Sequence, residues 1–200
     1  MSGSDGGTAF ADATTVLLLA SDVQNRSIDA GVRALRRVDE HVDRAAAVTI
    51  RQSASEWLSL WDRSPLSATM PVTCVDVDED TRSAATEADG SSDPTVERVS
   101  DPTDLEALGR QISDVLERAD DEDDDVGVVV HSLTGVLRYV DESTAFKFVY
   151  TLGEVTRRVD GVVFFHLDPE AHDPASVETF RILCDAVVQF DGPRSSVSDR

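Results

Sequence analysis

Apolar residues in this chain fall into two kinds of segment that alternate. Short continuous runs at 14–20, 46–50, 72–77, 126–130, 161–167 and 186–190 read as strands covered on both faces. Between them apolar residues recur at helical spacing, as in Ile28, Val32, Leu35 and Val38, or Leu105, Leu108, Ile112, Val115 and Leu116. The clearest unit spans 126–168, where two such runs flank a helix with Phe146, Phe148, Val149, Leu152 and Val155 as its apolar positions. The spacing predicts an α/β fold: a mostly parallel sheet, right-handed crossovers and helices on both faces.

Polar residues mark the boundaries. Ser27 is placed to cap the first helix, and Ser53-Ala-Ser-Glu56 is a capping box ahead of Trp57, Leu58, Leu60 and Trp61. Asp101-Pro102 and Asp173-Pro174 read as helix starts, Asp141 as a cap, and Arg157-Arg158 as a helix end. Val177, Phe180, Ile182 and Leu183 are expected to pack the last helix, and Val96-Glu-Arg-Val99 suits a short strand. Trp57 and Trp61 share one helix face, which points to the core, with a partner-binding face as the alternative. Residues 1–12 and 192–200 read as disordered tails, and 78–95 as a flexible acidic insertion in a single domain over 13–191.

Charge changes this picture. Acids outnumber bases 39 to 18, for a formal charge of -21, and Lys147 is the one lysine. That balance opposes contact with nucleic-acid phosphates or an anionic membrane, so neither is expected as a partner. Acids spread along the whole chain suit a surface adapted to a salt-loaded cytoplasm, with an acidic partner-binding patch as the alternative. Cys74 and Cys184 lack any Cys-x-x-Cys spacing and read as buried free thiols. No apolar run reaches the length of a membrane span, so a cytoplasmic protein is expected.

Several segments, taken in order, resemble the RecA/KaiC-like branch of P-loop ATPases. His131-Ser-Leu-Thr134 after its apolar run is similar to the Asp-Ser-Leu-Thr segment that ends the Walker B strand there. The strand at 161–167 followed by Asp-Pro-Glu-Ala-His-Asp fits the same order, as does Cys184-Asp185-Ala-Val-Val-Gln-Phe190 near the end. The likeness covers roughly 14–191, best in its second half, and extends to haloarchaeal proteins that carry this domain in degenerate form. It implies a RecA-like sheet.

The departures bear on chemistry. A P-loop needs glycines whose backbone N–H groups wrap phosphates, a Lys for their charge and a Ser/Thr for Mg²⁺. The matching stretch is Ala20-Ser-Asp-Val-Gln-Asn-Arg-Ser27, without Gly or Lys; Asp22 would repel a triphosphate, and Arg26-Ser27 is the one vestige. His131 stands where the metal-holding Asp is expected. The sequence therefore predicts no catalytic residue, cofactor or metal site, and a regulatory or scaffolding protein with a protein partner, itself or another. The alternative is a ligand-binding or metal-dependent enzyme using a crevice at the strand C-termini, near Ser21, Asp22, Arg26, Ser27, His131, Ser132 and Asp168. His166 and His172 would enter such a metal site, against the simpler reading of a satisfied strand histidine and a capped turn. Ser132 beside His131 lacks the surroundings of a nucleophile elbow. The six acids at 120–125 lack the alternation and Gly of a calcium loop, and read as a solvated turn.

Overall fold

The apolar runs pair into one sheet in the computed structural model, which describes residues 13–21, 26–38, 41–50, 53–77, 95–191 and 194–199. Its strands are β1 (Thr15–Leu19), β2 (Arg44–Ile50), β3 (Val72–Val77), β4 (Thr95–Val99), β5 (Val126–His131), β6 (Val162–Leu167), β7 (Ala186–Asp191) and β8 (Arg194–Asp199). They lie in the order β4-β3-β2-β5-β6-β1-β7-β8, and every neighbouring pair is parallel except β7–β8. The helices are α1 (Arg26–Leu35), α2 (Ala54–Trp61), α3 (Leu105–Asp121), α4 (Leu133–Val136), α5 (Glu142–Arg158) and α6 (Pro174–Arg181).

Side-chain alternation divides the interior in two. Val16, Leu18, Val129 and Phe164 face α1 and α2. Leu17, Leu19, Val128, Val130 and Phe165 face α3, α5 and α6. Central strands covered on both sides need apolar residues at every position, which is why their runs are continuous. Each fully buried Leu or Phe among them contributes about 1.5–3 kcal/mol of transfer free energy.

Close approach fixes α1 on the sheet. A Cβ on Gly31 would lie 2.8 Å from Val129 Cγ1, and one on Gly127 would lie 2.7 Å from Leu35 Cδ2. The helix therefore lies nearly against β5, running opposite to it. Trp57 and Trp61 are buried on the same face, stacked with centroids 5.4 Å apart, so this pair serves the core and not a partner. Both cysteines are buried and free, and burial pushes each thiol up to about 12.

Several boundaries differ from the sequence pattern, each for a local reason. α1 begins at Arg26, which puts Ser27 inside its first turn and not at its cap. α3 begins after Asp104, whose side chain accepts from Ala107 N at 2.8 Å. Asp101 instead closes a preceding turn by accepting from Thr103 N at 2.8 Å and Thr103 Oγ1 at 2.7 Å. α3 also runs through Asp121, so the acidic turn is shorter than six residues. Residues 194–199 are not a tail: they form β8, which hydrogen-bonds along the edge of β7 and packs Val197 on the α1/α2 face. A Ser-rich strand with one apolar residue has no pattern to read. Ile182 lies beyond α6 and is 52% exposed, so it does not pack that helix. The insertion expected at 78–95 lies outside the described residues except for Thr95, which opens β4, and residues 1–12 lie outside them altogether.

Candidate functional site

Parallel strands end together, so their last side chains form a row across the carboxyl edge of the sheet. Thr49 on β2 is in register with Asp76 on β3 and with His131 on β5. The β5–β6 register ends at Val130 with Phe165, and the next residues, His131 and His166, stack with ring centroids 5.0 Å apart and planes within 8°. Their neighbours Val130 and Phe165 face α3 and α5, so the histidines lie on the α1/α2 side. Gly31 lies over Val129 and Leu35 over Gly127. Four helix residues thus match two strand residues, a proportion set by the two rises per residue. One further step puts the first turn of α1, at Ser27, over His131.

Most of the row is satisfied. Thr49 donates to Asp76 Oδ1 at 2.8 Å, and its hydroxyl lies 3.9 Å from Cys74 Sγ. His166 Nε2 is 2.8 Å from Ala20 O; a carbonyl only accepts, so the ring carries its proton on Nε2. His131 is different. It is 3% exposed, and neither ring nitrogen has a hydrogen-bond partner among the described residues. Burial first, and then the neighbouring His166, push it down to about 3, so the ring is neutral at physiological pH. A buried imidazole left unpaired is costly, by about 1–3 kcal/mol for each unsatisfied group.

The loops above the row are tied together by Thr134. Its Oγ1 accepts from Asp168 N at 2.9 Å and lies 3.1 Å from His172 Nε2. Asp168 caps the short turn Pro169–Ala171 by accepting from Glu170 N at 2.9 Å. Ser132 Oγ accepts from Gly135 N at 3.1 Å and so caps α4. It does not bond to His131. The peptide bond that joins His131 to Ser132 is cis. At the mouth, Ser21 Oγ donates to Glu170 Oε2 at 3.4 Å.

The structure thus brings His131, Ser132 and Asp168 together with Ser21 at one edge, and Arg26 and Ser27 open the helix that crosses it. Asp22 lies outside the described residues. Sequence reasoning missed Thr134 as the tie between loops and Thr49–Asp76 as part of the row. A Thr interrupting the otherwise apolar run 45–50 was the available signal.

The histidines do not fit one metal ion between them. An imidazole lone pair lies in the ring plane, and near-parallel stacked planes cannot direct two lone pairs at one point. His172, the third candidate, is engaged with Thr134. Among the described residues no group of three or more His, Cys, Asp or Glu is arranged to hold a metal. No described helix is long and apolar enough to cross a membrane.

Residues 13–190 match the DUF7504 family, a family of unknown function, and the chain belongs to it. No curated protein matches the sequence. Among solved structures, one from Pyrococcus horikoshii OT3, the structural study of Project ID PH0250, superposes with a TM-score of 0.57. It is 11% identical, and the match covers 93% of this chain and 86% of that one. At that identity the likeness is one of fold.

Proposed function

We propose that this DUF7504 member is a non-catalytic RecA/KaiC-like domain, a regulatory or scaffolding module of signalling type that acts through protein contacts. One observation carries the reading: the ring at the end of β5 is buried and uncharged. A Walker B acid holds Mg²⁺ by its negative charge, and phosphoryl transfer depends almost wholly on that ion and on positioning. His131, held neutral by burial and by His166, supplies no such charge. The absence of Gly and Lys between Ala20 and Ser27 supports the same conclusion. In this reading the protein works in the cytoplasm, and its spread acids keep the surface hydrated at high salt.

The test is Mg-ATP turnover in molar KCl. The expected result is no phosphate release above background, and no rise in melting temperature with millimolar Mg-ATP. Hydrolysis that an Arg26→Ala change abolishes would sink the proposal.

A second reading has its own support. The His131 ring, without a hydrogen-bond partner among the described residues, marks a place beneath the first turn of α1 where a small ligand could complete the hydrogen bonding. Open α/β sheets keep their ligands at this edge. A metabolite that raised the melting temperature of the wild type, but not of His131→Ala, would favour this reading over the first.

A further inference from the structure

On the opposite face of the sheet, α3 and α5 leave a groove of about 540 Å³ between them. Its floor is apolar, built from Phe148, Leu152 and Val155. Gly109 lines it from α3, as the fifth residue of a 17-residue helix. Glycine weakens a helix interior relative to alanine, so its presence there needs a reason. The other described glycines have one, since a Cβ on Gly31, Gly127, Gly135, Gly153 or Gly161 would come within 3.1 Å of a neighbour. A Cβ on Gly109 would meet nothing within 4 Å. Nothing inside the described fold uses the room that this glycine leaves.

We propose that the α3/α5 groove receives an amphipathic helix of a partner protein, with Gly109 as the notch that lets the two backbones approach. The groove's α3 wall runs from Leu105 to Glu117, roughly 18 Å at 1.5 Å per residue, which suits about three helical turns. Charge selects the partner. Asp114 and Glu117 are exposed on the α3 wall, whereas the Arg110 charge is already met by Glu106 at 2.6 Å. Lys147 stands across the groove, on the α5 wall. The incoming helix therefore carries apolar anchors on one face and Arg or Lys on the flank toward α3. A second copy of this chain, with one lysine and acids over bases 39 to 18, is poorly supplied with such a basic flank. The proposal rests on the protein-contact reading only in expecting a partner. The groove and the His131 crevice lie on opposite sheet faces, so ATP turnover and groove binding can fail separately.

The probe is a designed, fluorescein-labelled 14-residue helix with Leu at i, i+3/i+4 and i+7 and Arg on one flank, beside a twin with Glu for Arg. Anisotropy is read at the lowest salt that preserves the circular dichroism of the wild type. The Arg peptide should bind and its Glu twin should not. Gly109→Trp should weaken binding at least tenfold, and Asp114→Lys/Glu117→Lys should reverse the preference between the twins. Gly109→Ala, expected to raise the melting temperature by roughly 2–4 °C, shows that the fold itself does not need the glycine. Failure of the Arg peptide to bind, equal binding of the twins, or indifference to Gly109→Trp overturns the proposal. So does a dimer in analytical ultracentrifugation that Gly109→Trp dissolves, which would assign the groove to a second copy.

Discussion

At the amino-terminal end of the parallel sheet Asp185, Arg44 and Asp43 are tied to the strands beside them, whereas at the carboxyl end the buried His131 ring has no such tie among the described residues. Asp185, just before β7, accepts from Thr15 Oγ1 at 2.7 Å, Thr15 N at 2.9 Å and Thr14 N at 3.2 Å, with Arg157 at 3.5 Å. Arg44, at the start of β2, engages both Glu122 and Asp124 ahead of β5. Asp43 accepts from Asp125 N at 3.1 Å beside them. These groups hold strand starts in register. His131, at the other end of β5, has no hydrogen-bond partner among the described residues. Satisfied polar groups explain themselves as structure, and an unsatisfied buried one calls for another account.

Acid separates the two ends most sharply. His131 sits well below its ordinary 6.5, at about 3, so the unfolded chain binds more protons than the folded one between those values. Stability should therefore be full above pH 6.5 and fall as pH drops toward 3, by up to about 1.4 kcal/mol per unit. Urea midpoints from pH 7 to 4 should show this loss in the wild type and a flatter line above pH 5 in His131→Phe. Equal slopes in that window would remove His131 from the account.

Asp185 responds lower on the scale. Burial would raise its carboxyl, but hydrogen bonds from Thr15 and Thr14 and the Arg157 charge outweigh that and hold it below the usual carboxylate range. Its contribution is present above the unfolded value and is lost as pH falls through the folded one. Asp185→Ala should cost roughly 1–2 kcal/mol at pH 7, moderated because the side chain is 42% exposed. Chemical denaturation reads this directly, and a neutral result would mean that the three donors find water equally well. The smallest effect belongs to Arg44→Ala, roughly 0.5–1 kcal/mol, because its pairs are open to solvent. That loss should shrink in molar salt, unlike the His131 effect. A salt-independent loss would point to packing of the Arg44 stem instead.

How much of this could be read in advance differs from one element to the next. The cores of β1, β5 and β6 were legible because both faces are covered and every position must be apolar. The Asp173 cap was legible because a carboxylate ahead of Pro satisfies free helix N–H groups; it accepts from Ala175 N at 2.9 Å and Ser176 N at 3.0 Å. Asp101-Pro102 carries the same signature, yet its carboxylate spends its bonds on Thr103, and local sequence does not decide between the two outcomes. The placement of Ser21, His131, Ser132 and Asp168 at the carboxyl edge was legible from their positions at the ends of strands. The stacking of His131 on His166 was not, because residues 35 apart meet only through strand pairing.

The sequence alone determined the alternation of strands and helices, the burial of its apolar runs and the lack of a glycine-lysine phosphate loop, since these depend on local composition and periodicity. Strand order, the row from Asp76 to His166, the burial that holds His131 neutral and the open notch at Gly109 were decided by tertiary structure alone. They depend on which distant residues are brought side by side, and that is fixed by packing over the whole sheet rather than by any segment of it.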